Sequence, residues 1–254
     1  WDDSFGMFDL DSDLTLNISD HLSVGNDGDG VMFIRDGVSV TTEYAAMGGH
    51  DFGNTGVLYV QGPAAEFTVN ETFRVGVEGK GYLYLQNGAN AHATRGYIGD
   101  WPLGYGELYI TLGAKLTMGE WLMTGGFGEG LLEVREAGKL ELQNLSIGGE
   151  EGGEGQVNLF HDGSRIDAVH NVYVGDRGHG VMHVSQEADL TAEMLIVGGS
   201  ETAQGEMTLS GAEAAVTYLL IVGDWGHGTM NVSQQADVTV DSLLVGPQET
   251  GDGV

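Results

Sequence analysis

Residues 128–148 read GEGLLEVREAGKLELQNLSIG. In this stretch the aliphatic Leu132 and Val134 alternate with other residues, and this period of two predicts a β-strand with one buried face. A small-residue corner at Gly138 follows, because glycine adopts a positive φ without steric cost. A further strand then ends at Gly148. The stretch therefore predicts a repeat unit made of strands joined by a tight corner.

The same pattern recurs along the whole chain. Each unit ends on a closing glycine, preceded in all but one case by an aliphatic residue: Gly25, Gly48, Gly76, Gly99, Gly125, Gly148, Gly175, Gly198, Gly223 and Gly246. Successive spacings are 23, 28, 23, 26, 23, 27, 23, 25 and 23 residues, so short and long units alternate. A second glycine follows five to eight residues later: Gly30, Gly56, Gly81, Gly106, Gly130, Gly155, Gly180, Gly205 and Gly228. Self-similarity at this period indicates a repeat architecture.

One unit contains about three short strands, has no helical pattern and cannot bury its own apolar face. Stacked units bury that face and pair their backbone edges. We therefore predict an all-β fold, a right-handed parallel β-helix (β-solenoid) of about ten coils of 23–28 residues. A β-propeller is the alternative, because two units approach the length of a four-stranded blade. Single units resemble each other regardless of length, which favours coils.

We expect one solenoid domain over residues 1–254, with an irregular first coil at 1–21, regular coils at 22–246 and the start of a further coil at 247–254. Neither end carries a polar cap. Two interpretations fit this pattern. The chain is an excerpt of a longer array, or it is a protomer whose bare strand edges stack head to tail.

Composition excludes several classes of protein. Asp and Glu number 38 against 9 Lys and Arg, which gives a formal net charge of −29. A nucleic-acid binder needs clusters of Lys and Arg, and the same lack disfavours an anionic membrane surface. No apolar run is long enough to span a bilayer as a helix. We therefore expect no nucleic-acid partner and no membrane insertion. The chain has no Cys, which excludes disulfides.

Linear signatures of enzymes are missing. The sequence has no Gly-x-Ser-x-Gly, no His-Glu-x-x-His, no phosphate-binding loop and no Cys nucleophile. We therefore expect no enzymatic activity and assign no catalytic residue. A polysaccharide lyase or hydrolase stays open, because a β-helix draws such residues from adjacent coils and leaves no linear motif.

The repeat also resembles a known family. Its pattern, Gly128-x-Gly130-x-Leu132-x-Val134 followed by Ala137-Gly138 and Leu145-x-Ile147-Gly148, is similar to the repeats of autotransporter passengers and PEP-CTERM-associated surface proteins. The similarity extends over nearly the whole chain. It implies an exported bacterial β-helix, secreted or held at the cell surface. It implies little about activity, because such scaffolds carry adhesins, stalks and some enzymes.

Aromatic residues supply the candidate contact sites. Four successive units place an aromatic residue at the same outward position, a neighbouring tyrosine adds to them, and two tryptophans follow Gly-Asp in alternating loops. The interface or glycan-binding candidates are Phe33, Tyr59, Tyr82, Tyr84, Tyr109, Trp101 and Trp225. Exposed apolar stripes mark interfaces. The other interpretation is that residues 1–21 or a loop cover the stripe and that the tryptophans fold over glycine-rich corners.

Asp27 and Asp29 are the calcium candidates, because the loop GNDGDG at 25–30 is similar to a calcium-binding nonapeptide. Calcium requires several oxygen ligands. The motif does not recur in consecutive units, so diffuse screening of the net charge by cations is the competing interpretation. We expect no other cofactor.

These observations predict a structural or adhesive extracellular β-solenoid, used as a cell-surface stalk, filament or matrix subunit. It would act through coil stacking and through surface contacts, with self-association end to end or laterally. The alternative is a β-helix that binds or cleaves carbohydrate, with a polysaccharide as partner.

Overall fold

The computed structural model describes residues 5–49 and 53–246, which form 22 β-strands and no helix. Neighbouring strands pair in parallel, and the chain winds through about ten coils of about 25 residues. The predicted all-β β-solenoid is confirmed. Its right-handed winding stays a prediction. Within these two ranges, no helix is long and apolar enough to cross a bilayer.

The first sheet contains one strand from each coil, ten in all. Its strands, numbered along the chain, are β1 (Phe5–Leu10), β3 (Asp29–Ile34), β5 (Thr55–Gln61), β7 (Lys80–Gln86), β9 (Tyr105–Ile110), β11 (Glu129–Arg135), β14 (Glu154–Phe160), β17 (His179–Ser185), β19 (Gln204–Ser210) and β21 (His227–Ser233). The second glycines pair with one another throughout, as Gly30 does with Gly56. Equal repeat positions therefore lie side by side along the rod.

The second sheet contains 12 strands. They are β2 (Leu14–Val24), β4 (Val38–Met47), β6 (Glu66–Val75), β8 (Asn90–Ile98), β10 (Lys115–Thr124), β12 (Lys139–Leu142), β13 (Asn144–Ile147), β15 (Arg165–Ala168), β16 (Asn171–Val174), β18 (Asp189–Val197), β20 (Glu213–Val222) and β22 (Asp237–Val245). The expected three strands per unit occur in the two coils that contain β12/β13 and β15/β16. In the other coils, the second and third strands form one longer strand.

Alternate strands of the second sheet contain a bulge. In β4 the pairing steps from Thr42 to Tyr44, whereas in the neighbouring β6 it steps from Val69 to Thr72, which leaves one extra residue in β6. The same shift recurs along the sheet, always with the extra residue in alternate coils. A β-bulge inserts such a residue at the cost of a local disruption of the ladder. Long units thus differ from short units both in their loop and in this bulge.

The two glycines of each unit are required for different reasons. The closing Gly175 has φ of +71°, a left-handed conformation that favours glycine. Gly180 has no such φ, but a Cβ there would overlap the backbone nitrogen of Gly175 and the carbonyl oxygen of Ile147. The second glycine therefore lets two backbones approach closely where the loop meets the sheet.

The core fills the tube between the two sheets. Leu132 and Val134, which the alternation predicts to face inward, are fully buried. The largest core side chains need compensating space. A Cβ on Gly96 would lie 2.6 Å from the Phe73 ring and 2.7 Å from Leu122. Gly96 therefore makes room for the aromatic ring in the coil beside it.

Among the described residues, the first and last coils each have a neighbour on one side only. The first coil was expected to be irregular, and its residues 5–24 supply β1 and β2, which pair with β3 and β4. At the other end, β21 and β22 pair with β19 and β20. The inward Phe8 and Leu243 are therefore 54% and 56% exposed. Residues 247–254, the expected start of a further coil, lie outside the described part.

Candidate functional site

The four outward aromatic residues of the first sheet form one column, here called the aromatic ladder: Phe33, Tyr59, Tyr84 and Tyr109. Sheet register pairs each with the next. Their ring centroids are 4.9, 4.7 and 4.9 Å apart, with planes inclined by 7°, 11° and 6°. Coil spacing thus places the rings at stacking distance.

The rings of the aromatic ladder use their faces to stack on one another. The outer face of Phe33 is covered by the Arg35 guanidinium, 4.9 Å from the ring centroid. Asp9 holds that guanidinium through two hydrogen bonds of 2.7 and 2.9 Å. A sugar ring would need a free aromatic face on which to stack. At its Phe33 end, the ladder therefore offers a partner ring edges and no free ring face.

The side chain of Tyr109, the last residue of the aromatic ladder, is held by a carboxylate. Glu107 accepts hydrogen bonds from the hydroxyls of Tyr105 and Tyr109. Burial and the bond to Glu107 raise the pKa of Tyr109, and burial raises the pKa of Tyr84 to about 12. These phenols are therefore neutral hydrogen-bonding groups at physiological pH. Tyr82 lies beside the ladder, 6.5 Å from the ring of Tyr84.

Trp101 and Trp225 occupy equal loop positions but different surroundings. Both are well exposed, at 50% and 43%. Trp101 lines a cleft of about 470 Å³, here called the Tyr97 cleft, whose other principal residues are Arg74, Tyr97, Met123, Phe127 and Glu150. Trp225 lies outside that cleft. The structure therefore separates two residues that the sequence pattern treats alike.

The floor of the Tyr97 cleft comes from three adjacent coils. Arg74, Tyr97 and Met123 pair with one another in the second sheet, each two residues before a closing glycine. The walls come from the loops that follow those glycines and carry Trp101 and Phe127. Phe127 is 50% exposed, like Trp101. Two exposed aromatic side chains thus line the cleft beside Arg74, Tyr97 and Met123.

The ionic groups of the cleft are paired. Arg74 donates from Nε to Asp100 Oδ2 at 2.7 Å, and its guanidinium lies 5.3 Å from the centroid of the Tyr97 ring. Burial raises the pKa of Asp100, and Arg74 opposes that shift without cancelling it. On the opposite side, Arg177 donates to Glu150 at 3.1 Å. Each carboxylate of the cleft therefore has its own arginine.

Most of the Tyr97 cleft was missed by sequence reasoning, which selected only Trp101 from it. Its residues lie on four coils, and the outward position two before each closing glycine was not compared between units. Reading that position gives Arg74, Tyr97 and Met123 in succession. This succession was the sequence signal that could have identified the floor of the cleft.

The calcium candidates have local partners. Asp29 Oδ1 accepts the backbone N–H of Thr55 at 2.7 Å, and Asp27 Oδ1 accepts from the side chain of Asn26 at 3.0 Å. Within residues 5–49 and 53–246, no group of three or more His, Cys, Asp or Glu is placed to hold a metal ion. Calcium at Asp27 and Asp29 stays a prediction.

The resemblance of the repeat to autotransporter passengers and PEP-CTERM-associated proteins stays a prediction. Comparisons of the whole chain with protein-family models, with curated proteins and with solved structures find no match.

Proposed function

We propose that the protein is a structural rod of the extracellular space, a stalk, filament or matrix subunit. The observation that carries the proposal is the unbroken parallel register of the first sheet through ten coils, from β1 to β21. Each coil contacts chiefly its neighbours, so stability and stiffness accumulate along one axis. At about 4.8 Å per coil, the rod is about 48 Å long.

Side chains on the outside reinforce the stacking. Besides the aromatic ladder, Gln86 donates to Gln61 of the preceding coil at 3.0 Å, and Lys115 pairs with Glu141 of the next coil at 2.7 Å. Exposed ion pairs contribute little individually. Repeated at successive coils, such links oppose separation of one coil from the next, which is the requirement of a load-bearing rod.

Both ends of the described rod can accept another coil. The outer edges of β1 and β2, and those of β21 and β22, have no strand partner among the described residues, and apolar side chains are exposed beside them. Unpaired edges of this kind are templates for strand addition. We propose that coils of a second copy, or further coils of the same polypeptide, pair there.

An extracellular location is supported by the repeat resemblance and by the charge. A net charge of −29 keeps such rods apart in solution and makes their association sensitive to cations. Divalent cations at extracellular concentrations would screen this repulsion and favour lateral or end-to-end contact.

Electron microscopy and sedimentation velocity of the purified chain, with and without calcium, test the proposal. We expect rods that lengthen by whole units of about 48 Å. Leu243→Lys places a charge at the open end and should shorten the assemblies. Leu103→Lys is the matched control, because Leu103 is 77% exposed in a loop on the side of the rod. Single rods at every concentration, unchanged by Leu243→Lys, would reject self-association.

A further inference from the structure

We propose that the Tyr97 cleft binds a neutral oligosaccharide. This inference goes beyond the rod function and does not depend on it. The cleft volume of about 470 Å³ lies within the range of about 300–1,000 Å³ that small-molecule sites occupy. The cleft combines aromatic walls with a few convergent polar groups, the usual composition of such a site.

The aromatic side chains supply the apolar part of recognition. Trp101 and Phe127, each half exposed, line the cleft together with Tyr97. The Tyr97 ring is itself held in an edge-on contact with Trp121 at 4.5 Å, so the floor is fixed before a ligand arrives. Because Arg74 lies over the Tyr97 ring, the exposed rings of Trp101 and Phe127 are the surfaces on which the C–H face of a pyranose would pack.

The charges select for a neutral ligand. Although the chain carries a net charge of −29, both carboxylates of the cleft, Asp100 and Glu150, are neutralised by Arg74 and Arg177. A cation would find no unpaired carboxylate, and Arg74 already lies over the Tyr97 ring. Paired carboxylates and guanidinium groups still offer acceptors and donors, because each has more hydrogen-bonding sites than one ion pair uses. Hydroxyl groups match these sites.

The length of the cleft fits a chain of more than one sugar. Its residues run from Arg74 in the third coil to Glu150 after the sixth, three coil spacings or about 14 Å along the rod. That length exceeds one pyranose ring. The ligand would therefore lie along the rod axis and cross successive coils.

Isothermal titration with neutral oligosaccharides of glucose, mannose, galactose, xylose and N-acetylglucosamine tests the inference. We expect saturable binding of at least one of them. Trp101→Ala and Phe127→Ala should each weaken that binding by about tenfold, from the loss of one aromatic contact. Trp225→Ala is the matched control, because it removes the tryptophan at the equal repeat position outside the cleft. Its affinity should equal that of the unmodified chain.

Glu150→Gln separates a neutral ligand from a cationic one. It removes the charge and one carboxylate oxygen but retains an acceptor oxygen, so it should weaken binding of a neutral sugar by less than Trp101→Ala does, whereas binding of a cationic ligand should be lost. Circular dichroism and thermal melting of each variant verify the fold. The proposal is overturned if no neutral oligosaccharide binds at about 1 mM, if Trp225→Ala weakens binding as much as Trp101→Ala, or if only tetramethylammonium, used as the cationic probe, binds.

Discussion

The ring of Tyr84 lies 4.7 Å from the ring of Tyr59, with the two planes inclined by only 11°. Parallel β pairing sets about 4.7–4.9 Å between equal positions of adjacent strands. Aromatic rings at equal outward positions are thereby held at their stacking distance by the backbone. The register of the first sheet therefore produces the aromatic ladder. Loss of stacking between neighbouring rings would show that this register has changed.

Truncation of a central side chain of the aromatic ladder should destabilise the rod. Tyr84 stacks on both Tyr59 and Tyr109, and each aromatic pair contributes about 0.5–1.5 kcal/mol beyond its buried area. Tyr84→Ala should therefore lower the free energy of unfolding by about 1–3 kcal/mol, as measured by urea denaturation. Tyr84→Phe retains the ring and should cost much less. Equal losses in both variants would show that the stacked ring is not the source of stability.

Neighbouring residues of β11 should respond in opposite ways to mutation. Val134 is fully buried, so Val134→Asp places a carboxylate in the apolar tube and should abolish the cooperative melting of the sheet signal in circular dichroism. Glu133 points outward and pairs with Arg135 at 2.9 Å. Glu133→Ala should cost about 1 kcal/mol or less. A similar loss in the two variants would contradict the inward and outward assignment of this strand.

The second glycine should tolerate a methyl group only in the first coil. At Gly180 a Cβ would overlap backbone atoms of Gly175 and Ile147, so Gly180→Ala should destabilise by about 1–3 kcal/mol. Gly6 occupies the same repeat position, but no atom of residues 5–49 or 53–246 lies within 4 Å of a Cβ built there. Gly6→Ala should therefore change the free energy of unfolding by less than about 0.5 kcal/mol. Urea denaturation of both variants measures the contrast, and comparable changes would argue against close packing of the loops.

Asp176 should lower stability at neutral pH. Burial raises its pKa although Ser146 donates a hydrogen bond of 2.9 Å to its carboxylate. The folded state then binds a proton more tightly than the unfolded chain, so ionisation opposes folding once the pH rises through the folded pKa. Asp176→Asn retains an acceptor for Ser146 and should stabilise the protein at about pH 7.

That gain should shrink as the pH falls, because the native carboxyl then takes up its proton. Urea denaturation from about pH 7 down to the ordinary Asp pKa of about 3.9 follows the effect. Asp162→Asn removes the same charge from an exposed turn and corrects for the general effect of net charge. A gain for Asp176→Asn that is independent of pH, or no larger than that of Asp162→Asn, would contradict a burial effect.

Much of the fold was predictable because the repeat imposes local constraints that are visible in one unit. The alternation at Leu132 and Val134 determines which side of β11 is buried, and the closing glycines mark where the backbone turns. The continuity of the second sheet was not predictable in the same way. Its bulge, as between Val69 and Thr72, is defined by pairing with the next coil and has no residue signature of its own.

The two candidate sites differ in the same way, because one was predictable from a single repeat position and the other was not. The aromatic ladder was identified because Phe33, Tyr59, Tyr84 and Tyr109 share one repeat position. The Tyr97 cleft combines a strand position with loop positions, and loops such as that of Trp101 vary in length between units. Equal repeat positions there do not mean equal surroundings, as Trp101 and Trp225 demonstrate. Phe127 and Glu150 come into one cleft with Tyr97 only through the stacking of the coils.

The alternating bulge has a consequence for how such a rod can grow. Because the extra residue falls in every second coil, a bulged strand is always flanked by strands without one. Duplication of a single coil would place two bulged strands, or two plain ones, side by side. Duplication of a pair of coils preserves the sequence of neighbours. The length of a rod of this kind should therefore change in steps of two coils, which is about 9.6 Å per step.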